Sequence, residues 1–331
     1  MAKAKPQSEP KVENAQQKIE GKENEKDKAT ELPKIEFQEV IKTMFESYGK
    51  SGTDDLQISA NSLLAKYIEQ EICDNKIIDD YNIAIIFDST VMVKSDADSV
   101  YNSIKKFDIE KPVLLVLYSY GGDGGSAYLI SQLYREYCNG TFIVTVPRAA
   151  KSAATLLCCA ADEIHMGSLS ELGPIDPQLN GNPALGLKNA IEHIAQLAAK
   201  NPGSSEMFAK YLSLSLKPIE IGYYERVAES SLQYAERLLQ IHGKNLVRDA
   251  KQIAYDLVYT YKDHGFVIDK NEAKSIFGEK VIKINSPEYD LGNKVYNLLK
   301  MIEGVATFLG YDFYFNGILG SEPTFRKRKH S

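Results

Sequence analysis

A serine and a glycine-rich segment stand after two neighbouring strand patterns, and together they could catalyse acyl transfer. The β-branched run 113–118 leads into Gly121 and Gly122, and the run 141–146 leads towards Ser152. Glycines let backbone N–H groups approach a ligand oxygen closely. A serine hydroxyl becomes a nucleophile when a base removes its proton. The pattern therefore predicts an oxyanion hole at the two glycines and a nucleophile at Ser152.

The residues alone leave the general base open. His193 and His264 are the histidines that could approach the serine, although an isolated histidine is often structural. Lys188 follows the Gly/Pro-rich loop 173–187 in an apolar setting, and a desolvated lysine can act as a base because burial lowers its pKa. Lys200 and Lys151 are alternatives, although Lys151 adjoins Ser152 and would normally point the other way. Asp176 stands before Pro177 in this loop and could orient the base, contact substrate or cap a turn.

Alternating strand and helix patterns must position these residues. Predicted strands cover 83–87, 113–118, 141–146 and 163–166, and predicted helices cover 35–48, 61–71, 97–107, 125–137 and 152–161. Such alternation is typical of βαβ units with parallel strands. From about residue 185 the pattern is helical, near 185–199, 218–241 and 246–261, until a strand at 280–284. We expect an α/β fold with a helical C-terminal extension.

Composition limits the class of protein. The chain has 331 residues, of which 44% are hydrophobic, so it can bury a substantial core. Its net charge of −6 argues against nucleic-acid binding. An apolar signal segment and any run of 18 apolar residues are both absent from the sequence, which predicts a cytoplasmic protein without a membrane span.

Cysteine, carboxylate and glycine spacings argue against bound cofactors. The four cysteines lack CxxC spacing, and acidic residues form no regular metal motif, so we predict no metal. The segment after the strand at 113–118 matches neither dinucleotide nor P-loop fingerprints. We therefore expect no cofactor.

Composition also divides the chain. Residues 1–34 are rich in charged and polar residues and are predicted to be a disordered arm. The catalytic domain is predicted at 35–295, with its helical extension beginning near 185. Residues 296–331 are predicted to be a C-terminal tail.

Several motifs in the same order resemble a known family. They are Ser119-Tyr120-Gly121-Gly122, Ala150-Lys151-Ser152-Ala153-Ala154-Thr155, Ala161-Asp162-Glu163-Ile164, Leu172-Gly173-Pro174-Ile175-Asp176-Pro177-Gln178 and Asp263-His264-Gly265-Phe266-Val267-Ile268-Asp269 with Glu272-Ala273. Together they resemble the serine dehydrogenase proteinase family, which is similar to signal peptide peptidase A and to the proteolytic subunit of Clp protease. The resemblance covers about residues 56–285.

The resemblance implies a Clp/crotonase-like spiral of ββα units with serine endopeptidase chemistry on peptide or protein substrates. Ser152 matches the nucleophile, and the N–H groups of Gly121 or Gly122 and of Ala153 match the oxyanion hole. Clp-type enzymes place a histidine about 25 residues after the serine, where this chain has Asp176 and Pro177. Signal peptide peptidase relatives use a Ser-Lys dyad, for which Lys188 is the best match.

Two other functions share this fold. One is a crotonase-type acyl-CoA enzyme, which uses the oxyanion hole without a serine nucleophile. The other is an inactive oligomeric scaffold, favoured by the missing Clp-like histidine. The apolar helices at 35–48 and 126–137, together with the rings that this fold forms, predict a homo-oligomer.

Overall fold

The computed structural model describes residues 34–50, 55–179, 182–215 and 218–328. The predicted arm at 1–34 lies outside these residues except for Lys34. Strands within the described ranges span Asn82–Asp88 (β1), Val113–Ser119 (β2), Phe142–Val146 (β3), Ala149–Ala150 (β4), Glu163–Met166 (β5), Glu171–Leu172 (β6), Gln178–Leu179 (β7), Asn182–Pro183 (β8), Ile268–Asp269 (β9), Ile282–Ile284 (β10), Tyr311–Ile318 (β11) and Thr324–Lys327 (β12).

The α-helices surround these strands. They span Phe37–Lys50 (α1), Asp55–Cys73 (α2), Lys94–Ile104 (α3), Gly124–Glu136 (α4), Ala153–Cys158 (α5), Ala184–Lys200 (α6), Ser205–Ser215 (α7), Pro218–Leu239 (α8), Ala250–Tyr259 (α9), Lys270–Phe277 (α10) and Pro287–Phe308 (α11). Short 3₁₀ helices span Ile78–Asp80, Pro202–Ser204 and Gln240–Asn245. The α/β fold and the alternation predicted up to residue 166 are confirmed.

The main sheet has the strand order β10-β5-β3-β2-β1-β11-β12. Its strands from β10 to β1 are parallel, whereas β11 runs antiparallel to β1. A short ladder branches off where Ser119 at the end of β2 pairs with Ala150 of β4. β4 then pairs with β6, and β6 pairs antiparallel with β9. This branch lies at the carboxyl end of β2, where both predicted catalytic turns begin.

Helices cover both faces of the main sheet. Ile83, Ile85 and Phe87 of β1 point to one face and pack with residues of α1, α2 and α11. Ala84 and Ile86 point to the other face and pack with residues of α3, α4 and α5. Side chains alternate between the two faces of a strand, so a strand buried on both faces must be apolar throughout. This explains the continuous apolar runs in the sequence.

The C-terminal region differs from the tail predicted at 296–331. Helix α11 continues to Phe308, and β11 pairs with β1, with Phe315 opposite Phe87. Tyr311, Phe313 and Phe315 are buried, while the residues between them are partly exposed. Every second residue of β11 therefore faces the core, and the described residues 296–328 contribute the end of α11 and the strands β11 and β12 to the folded domain.

The helical region predicted from about residue 185 is present as α6 to α9. The strand predicted at 280–284 is present as β10, whereas β9 and α10, which precede it, were not predicted. Both β9 and β10 bring the chain back to the sheet. β9 joins the short ladder, and β10 extends the main sheet beside β5. The return of the chain at β9 matters for the candidate site, since it places the segment before Ile268 beside β6.

His242 is a buried histidine outside that site. It is 6% exposed, and its Nε2 lies 2.8 Å from the carbonyl oxygen of Cys159. A carbonyl only accepts, so Nε2 carries the hydrogen and Nδ1 is bare. Nδ1 is buried and has no hydrogen-bond partner among the described residues. Burial accordingly lowers the pKa of His242.

We expect acid to destabilise the fold through His242. Above about pH 6.5, the ordinary histidine pKa, the ring is neutral in both the folded and the unfolded chain. As the pH falls below that value, the unfolded chain takes up a proton that the folded chain resists. The free energy of unfolding should then decrease by up to about 1.4 kcal/mol per pH unit until the folded form also protonates. Urea unfolding between pH 7 and pH 5 measures this slope.

The variant His242→Gln keeps a donor for the Cys159 carbonyl without an ionisable ring, so its slope should be shallower. His193→Gln changes an exposed histidine and is the control. Equal slopes for wild type and His242→Gln would exclude His242 as the source of the acid sensitivity.

Candidate active site

Ser152 lies in the sharp turn between β4 and α5. Its backbone has φ +52° and ψ −120°. Residues with a Cβ rarely adopt a positive φ, and such strain concentrates at functional sites because the surrounding structure must hold it. The turn is held by the backbone of Lys151, whose N–H donates to Ser119 O at 3.0 Å and whose carbonyl accepts from Ala154 N at 2.8 Å. The serine is thus fixed at the start of α5 by its neighbours.

Gly121 lies directly against the serine turn. It has φ +94°, and a Cβ there would lie 2.5 Å from Lys151 O and 2.8 Å from Ala153 N. Only glycine fits, because both neighbours are backbone atoms that cannot rotate away. The N–H of Gly121 donates to Ser119 Oγ at 3.1 Å. Gly121 therefore allows the two turns to touch, while its own N–H is already occupied.

The N–H groups of Gly122 and Ala153 are different. Neither N–H donates to an acceptor among the described residues, and both residues line the same cavity. Helix α4 begins just beyond them at Gly124 and is capped by Asp123, whose Oδ2 accepts from Ser126 N at 2.7 Å. The amino end of a helix attracts negative charge. Two free donors and a helix terminus thus border the serine turn.

The cavity beside Ser152 has a volume of about 860 Å³. Its remaining wall comes largely from one face of α8, with Tyr223, Val227 and Tyr234 at helical spacing. Leu156 and Ile175 add apolar surface. No lysine or arginine is found among the described residues that line it. The site is therefore a mostly uncharged cleft with polar backbone groups at one end.

His264 lies in this cavity together with Ser152, paired with Asp176. Nδ1 of His264 is 2.8 Å from Oδ1 of Asp176, and Oδ2 of Asp176 accepts from Gln178 Nε2 at 2.9 Å. Asp176 is 6% exposed. A carboxylate accepts hydrogen bonds, so the pair leaves Nε2 of His264 as the bare nitrogen. In the described residues, no hydrogen bond joins His264 to the Ser152 hydroxyl.

The other predicted bases lie elsewhere. Lys188 lies on α6 and lines a second cavity of about 250 Å³ with Tyr224 and Ala228. Consecutive residues Tyr223 and Tyr224 of α8 face the two different cavities, so α8 separates Lys188 from the serine cavity. His193 is an exposed residue of α6 and lines neither cavity. The structure thus brings Ser152, His264 and Asp176 to one site, without Lys188 or His193.

Lys151 precedes the serine but points away from it. Its ammonium lies 3.1 Å from Glu171 Oε2, Leu172 O and Phe266 O. An ammonium has three donors, and these three acceptors use all of them. Lys151 is therefore placed to hold structure together.

The cysteines near the serine are not alternative nucleophiles. Cys158 and Cys159 end α5 and are fully buried. Burial raises the pKa of both thiols, that of Cys159 to about 12. A thiol is nucleophilic only as the thiolate, so both are inert at neutral pH.

Some residues of the site are not evident from the sequence. The α8 face that lines the cavity consists of Tyr223, Val227, Ser230, Ser231 and Tyr234. Their spacing matches one face of a helix, a signal that is readable in the sequence. By itself, such a pattern indicates only that one face of the helix is buried or partly buried. Tertiary packing decides whether that face contacts the core or a cavity.

An α/β fold with a strained serine, free backbone donors and a histidine–carboxylate pair at one cavity has the groups that serine hydrolases use. Residues 72–201 match the model of a family described as ClpP-like SDH-type serine proteinases. The resemblance found in the sequence is confirmed over this span. The matched span includes Gly122, Ser152 and Asp176 and ends before His264. At the level of the family, this match supports a serine peptidase.

Two curated relatives come from Methanocaldococcus jannaschii, and both are uncharacterized proteins. One is 25% identical over 222 residues, covering 65% of this chain and 69% of the relative. The other is 23% identical over 206 residues and covers 62% of each chain. This chain therefore spans roughly two thirds of either relative, and neither indicates an activity.

Two solved structures are also similar, both of the membrane-bound stomatin-specific protease 1510-N. One is a serine-to-alanine mutant, and the other is a lysine-to-alanine mutant in complex with a substrate peptide. Each is 15% identical with a TM-score of 0.39 and covers 68% of this chain, and 84% and 80% of the respective solved chains. At this level of similarity, neither structure supports a role for any residue of this chain.

Within the described residues, no group of three or more His, Cys, Asp or Glu side chains is arranged to hold a metal ion. In the described part of the chain, none of the helices has both the length and the hydropathy that a membrane crossing needs.

Proposed function

We propose that this protein is a serine endopeptidase in which Ser152 is the nucleophile and His264 is the general base. The observation that carries the proposal is the common cavity of the strained Ser152 and the His264–Asp176 pair. The sequence-based preference for Lys188 is replaced, because Lys188 lines a different cavity. Asp176 takes the orienting role that was one of its predicted alternatives.

In the proposed reaction, Nε2 of His264 removes the proton of Ser152 Oγ, which attacks the carbonyl carbon of a peptide bond. The resulting tetrahedral oxyanion accepts hydrogen bonds from the N–H groups of Gly122 and Ala153. His264 then donates its proton to the leaving amine, and an ester to Ser152 remains. Water, deprotonated by His264, hydrolyses this ester and restores the serine. Hydrogen bonds of a free enzyme often tighten only when substrate binds, so the missing Ser152–His264 bond is compatible with this scheme.

The wall of the cavity supports a preference among substrates. Tyr223, Val227 and Tyr234 present aromatic and aliphatic surface, and the lining described lacks cationic side chains. Apolar surface favours apolar ligands because it releases water on binding. We therefore propose that the enzyme cleaves beside apolar or neutral side chains.

An assay of peptide hydrolysis tests this function. Wild-type protein should degrade casein and release dye from fluorogenic peptides with apolar side chains, while peptides with acidic side chains react more slowly. Acetyl-CoA should leave the melting temperature unchanged, because the described residues of the cavity lining include no lysine or arginine for the CoA phosphates. Stabilisation by acetyl-CoA without peptide hydrolysis would instead support the crotonase-type alternative. Absence of both would support the inactive scaffold.

The predicted homo-oligomer, the cytoplasmic location and the disordered arm at 1–34 remain predictions. An exposed pair of aromatic rings supports the oligomer, because it offers apolar surface to a second copy of the chain. The pair is Phe45 of α1 and Phe308 of α11, with ring centroids 6.0 Å apart.

A further inference from the structure

Lys151 is a buried cation next to the proposed nucleophile. It is 8% exposed, and its ammonium contacts Glu171 Oε2, Leu172 O and Phe266 O at 3.1 Å each. A buried charge is costly unless it is paired and fully hydrogen-bonded. Here one carboxylate supplies the opposite charge, and two carbonyl oxygens accept the remaining hydrogen bonds of the ammonium. These three contacts compensate the cost of burying the Lys151 charge beside Ser152.

The three acceptors belong to the two segments that carry the proposed base. Glu171 and Leu172 form β6, and the chain leaving β6 reaches Asp176 four residues later. Phe266 lies two residues after His264, in the segment that enters β9. The ammonium of Lys151 therefore bridges the Asp176 segment and the His264 segment.

The strand register supports the same connection. Ala150, next to Lys151, pairs with Leu172, and Leu172 pairs in turn with Ile268. Glycine at position 173 leaves room for the lysine stem, since a Cβ there would lie 2.7 Å from Lys151 Cδ. The N–H of Gly173 donates to Thr155 Oγ1 at 3.0 Å, which ties the same segment to α5. The serine turn, the Asp176 segment and the His264 segment thus meet around the stem and ammonium of Lys151.

We propose that Lys151 is a positioning residue that holds His264 and Asp176 in register with Ser152. The inference rests on the proposed function and adds a role for a lysine that is not itself a base. Its three donors are occupied by Glu171, Leu172 and Phe266, and none of these residues is among the described residues that line the serine cavity. Without the ammonium, the carbonyls of Leu172 and Phe266 lose a shared donor, and the two segments lose their link to the serine turn.

The test is a double-mutant cycle on the rate at which a serine-directed phosphonate labels the protein. Lys151→Met keeps the apolar stem and removes the ammonium. We expect it to slow labelling by about 10- to 100-fold, since a displacement of about 1 Å of a catalytic group can cost about 100-fold. The rise in rate with pH that a histidine base produces between about pH 5 and 8 should also flatten. In the His264→Ala background, Lys151→Met should cause no further loss, because the group that it positions is gone.

Two controls separate positioning from general destabilisation. Lys270→Met removes the same charge from a lysine that contacts Ser168 Oγ, and its labelling rate should match wild type. Ile276→Ala opens the buried core of α10 and lowers the melting temperature, yet it should leave the pH profile unchanged. If Ile276→Ala flattens the profile as Lys151→Met does, the role of Lys151 is structural only and the proposal is wrong.

A second variant covers the case in which Lys151→Met does not fold. Glu171→Gln keeps the shape of the side chain and removes the charge opposite Lys151, so it should slow labelling in the same way and again not add to His264→Ala. Multiplicative losses in either cycle overturn the positioning role. If His264→Ala itself leaves the rate unchanged, the proposed base fails instead, and the two failures are therefore distinguishable.

Discussion

Ser152→Ala should abolish both labelling by a serine-directed phosphonate and hydrolysis of casein. The hydroxyl oxygen forms the ester intermediate in the proposed reaction, and alanine has no atom that can replace it. Removal of such a nucleophile lowers kcat by about 10⁶-fold in a serine protease where it has been measured. Mass spectrometry of the labelled wild type should locate the phosphonate on the peptide that contains Ser152.

The structure offers clear controls for this result. Ser275→Ala removes the hydroxyl of an exposed serine on α10 that donates to Asn271 O, and it should react like wild type. Ser230 and Ser231 also line the cavity and are the competing hydroxyls. A label found on either of them, or equal labelling of Ser152→Ala, would exclude Ser152 as the nucleophile.

His264→Ala should be the second most damaging change, whereas Lys188→Ala should leave hydrolysis unchanged. His264 shares the cavity of Ser152 and is held by buried Asp176, while Lys188 lies beyond α8 in another cavity. Without a base, the serine keeps its proton at neutral pH. We expect a loss of about 10³- to 10⁶-fold in kcat, as for members of such triads. Peptide hydrolysis and circular dichroism of each variant measure activity and folding.

Asp176→Asn extends this prediction to the orienting residue. The amide can no longer hold the same tautomer of the imidazole, and a loss of about 10⁴-fold follows from that change in a known triad. The opposite pattern, with Lys188→Ala inactive and His264→Ala active, would restore the Ser-Lys dyad that the sequence favoured.

The sequence predicted most of the fold up to residue 166 because those elements carry strong local signals. Strands β1, β2 and β3 consist mainly of buried apolar residues, and small residues such as Gly121 and Ser152 stand in the turns that follow β2 and β4. The C-terminal strand β11 was missed although Tyr311, Phe313 and Phe315 alternate with residues that are less buried. A pattern of this length does not indicate which sheet it joins, and its pairing with β1 spans more than 200 residues of sequence.

The proposed general base, His264, shows the same limit of what a local sequence pattern can predict. His264 and Asp176 are 88 residues apart, and each has an ordinary structural explanation when considered alone. Lys188 has an apolar sequence context, yet its helix faces Tyr224 and Ala228 on the far side of α8. Local sequence describes the neighbours of a residue along the chain. It does not specify which surface a helix turns towards a neighbouring element.

The sequence by itself determined the paired turns that bear Gly122 and Ser152, because strand, turn and helix signals are local and glycine at 121 is a steric requirement. The tertiary structure alone decided which side chains lie beside these turns. Pairing of β4 with β6 and of β6 with β9 brings Asp176 and His264 to the serine turn. Those contacts form between segments distant in sequence, so their geometry exists only once the sheet has assembled.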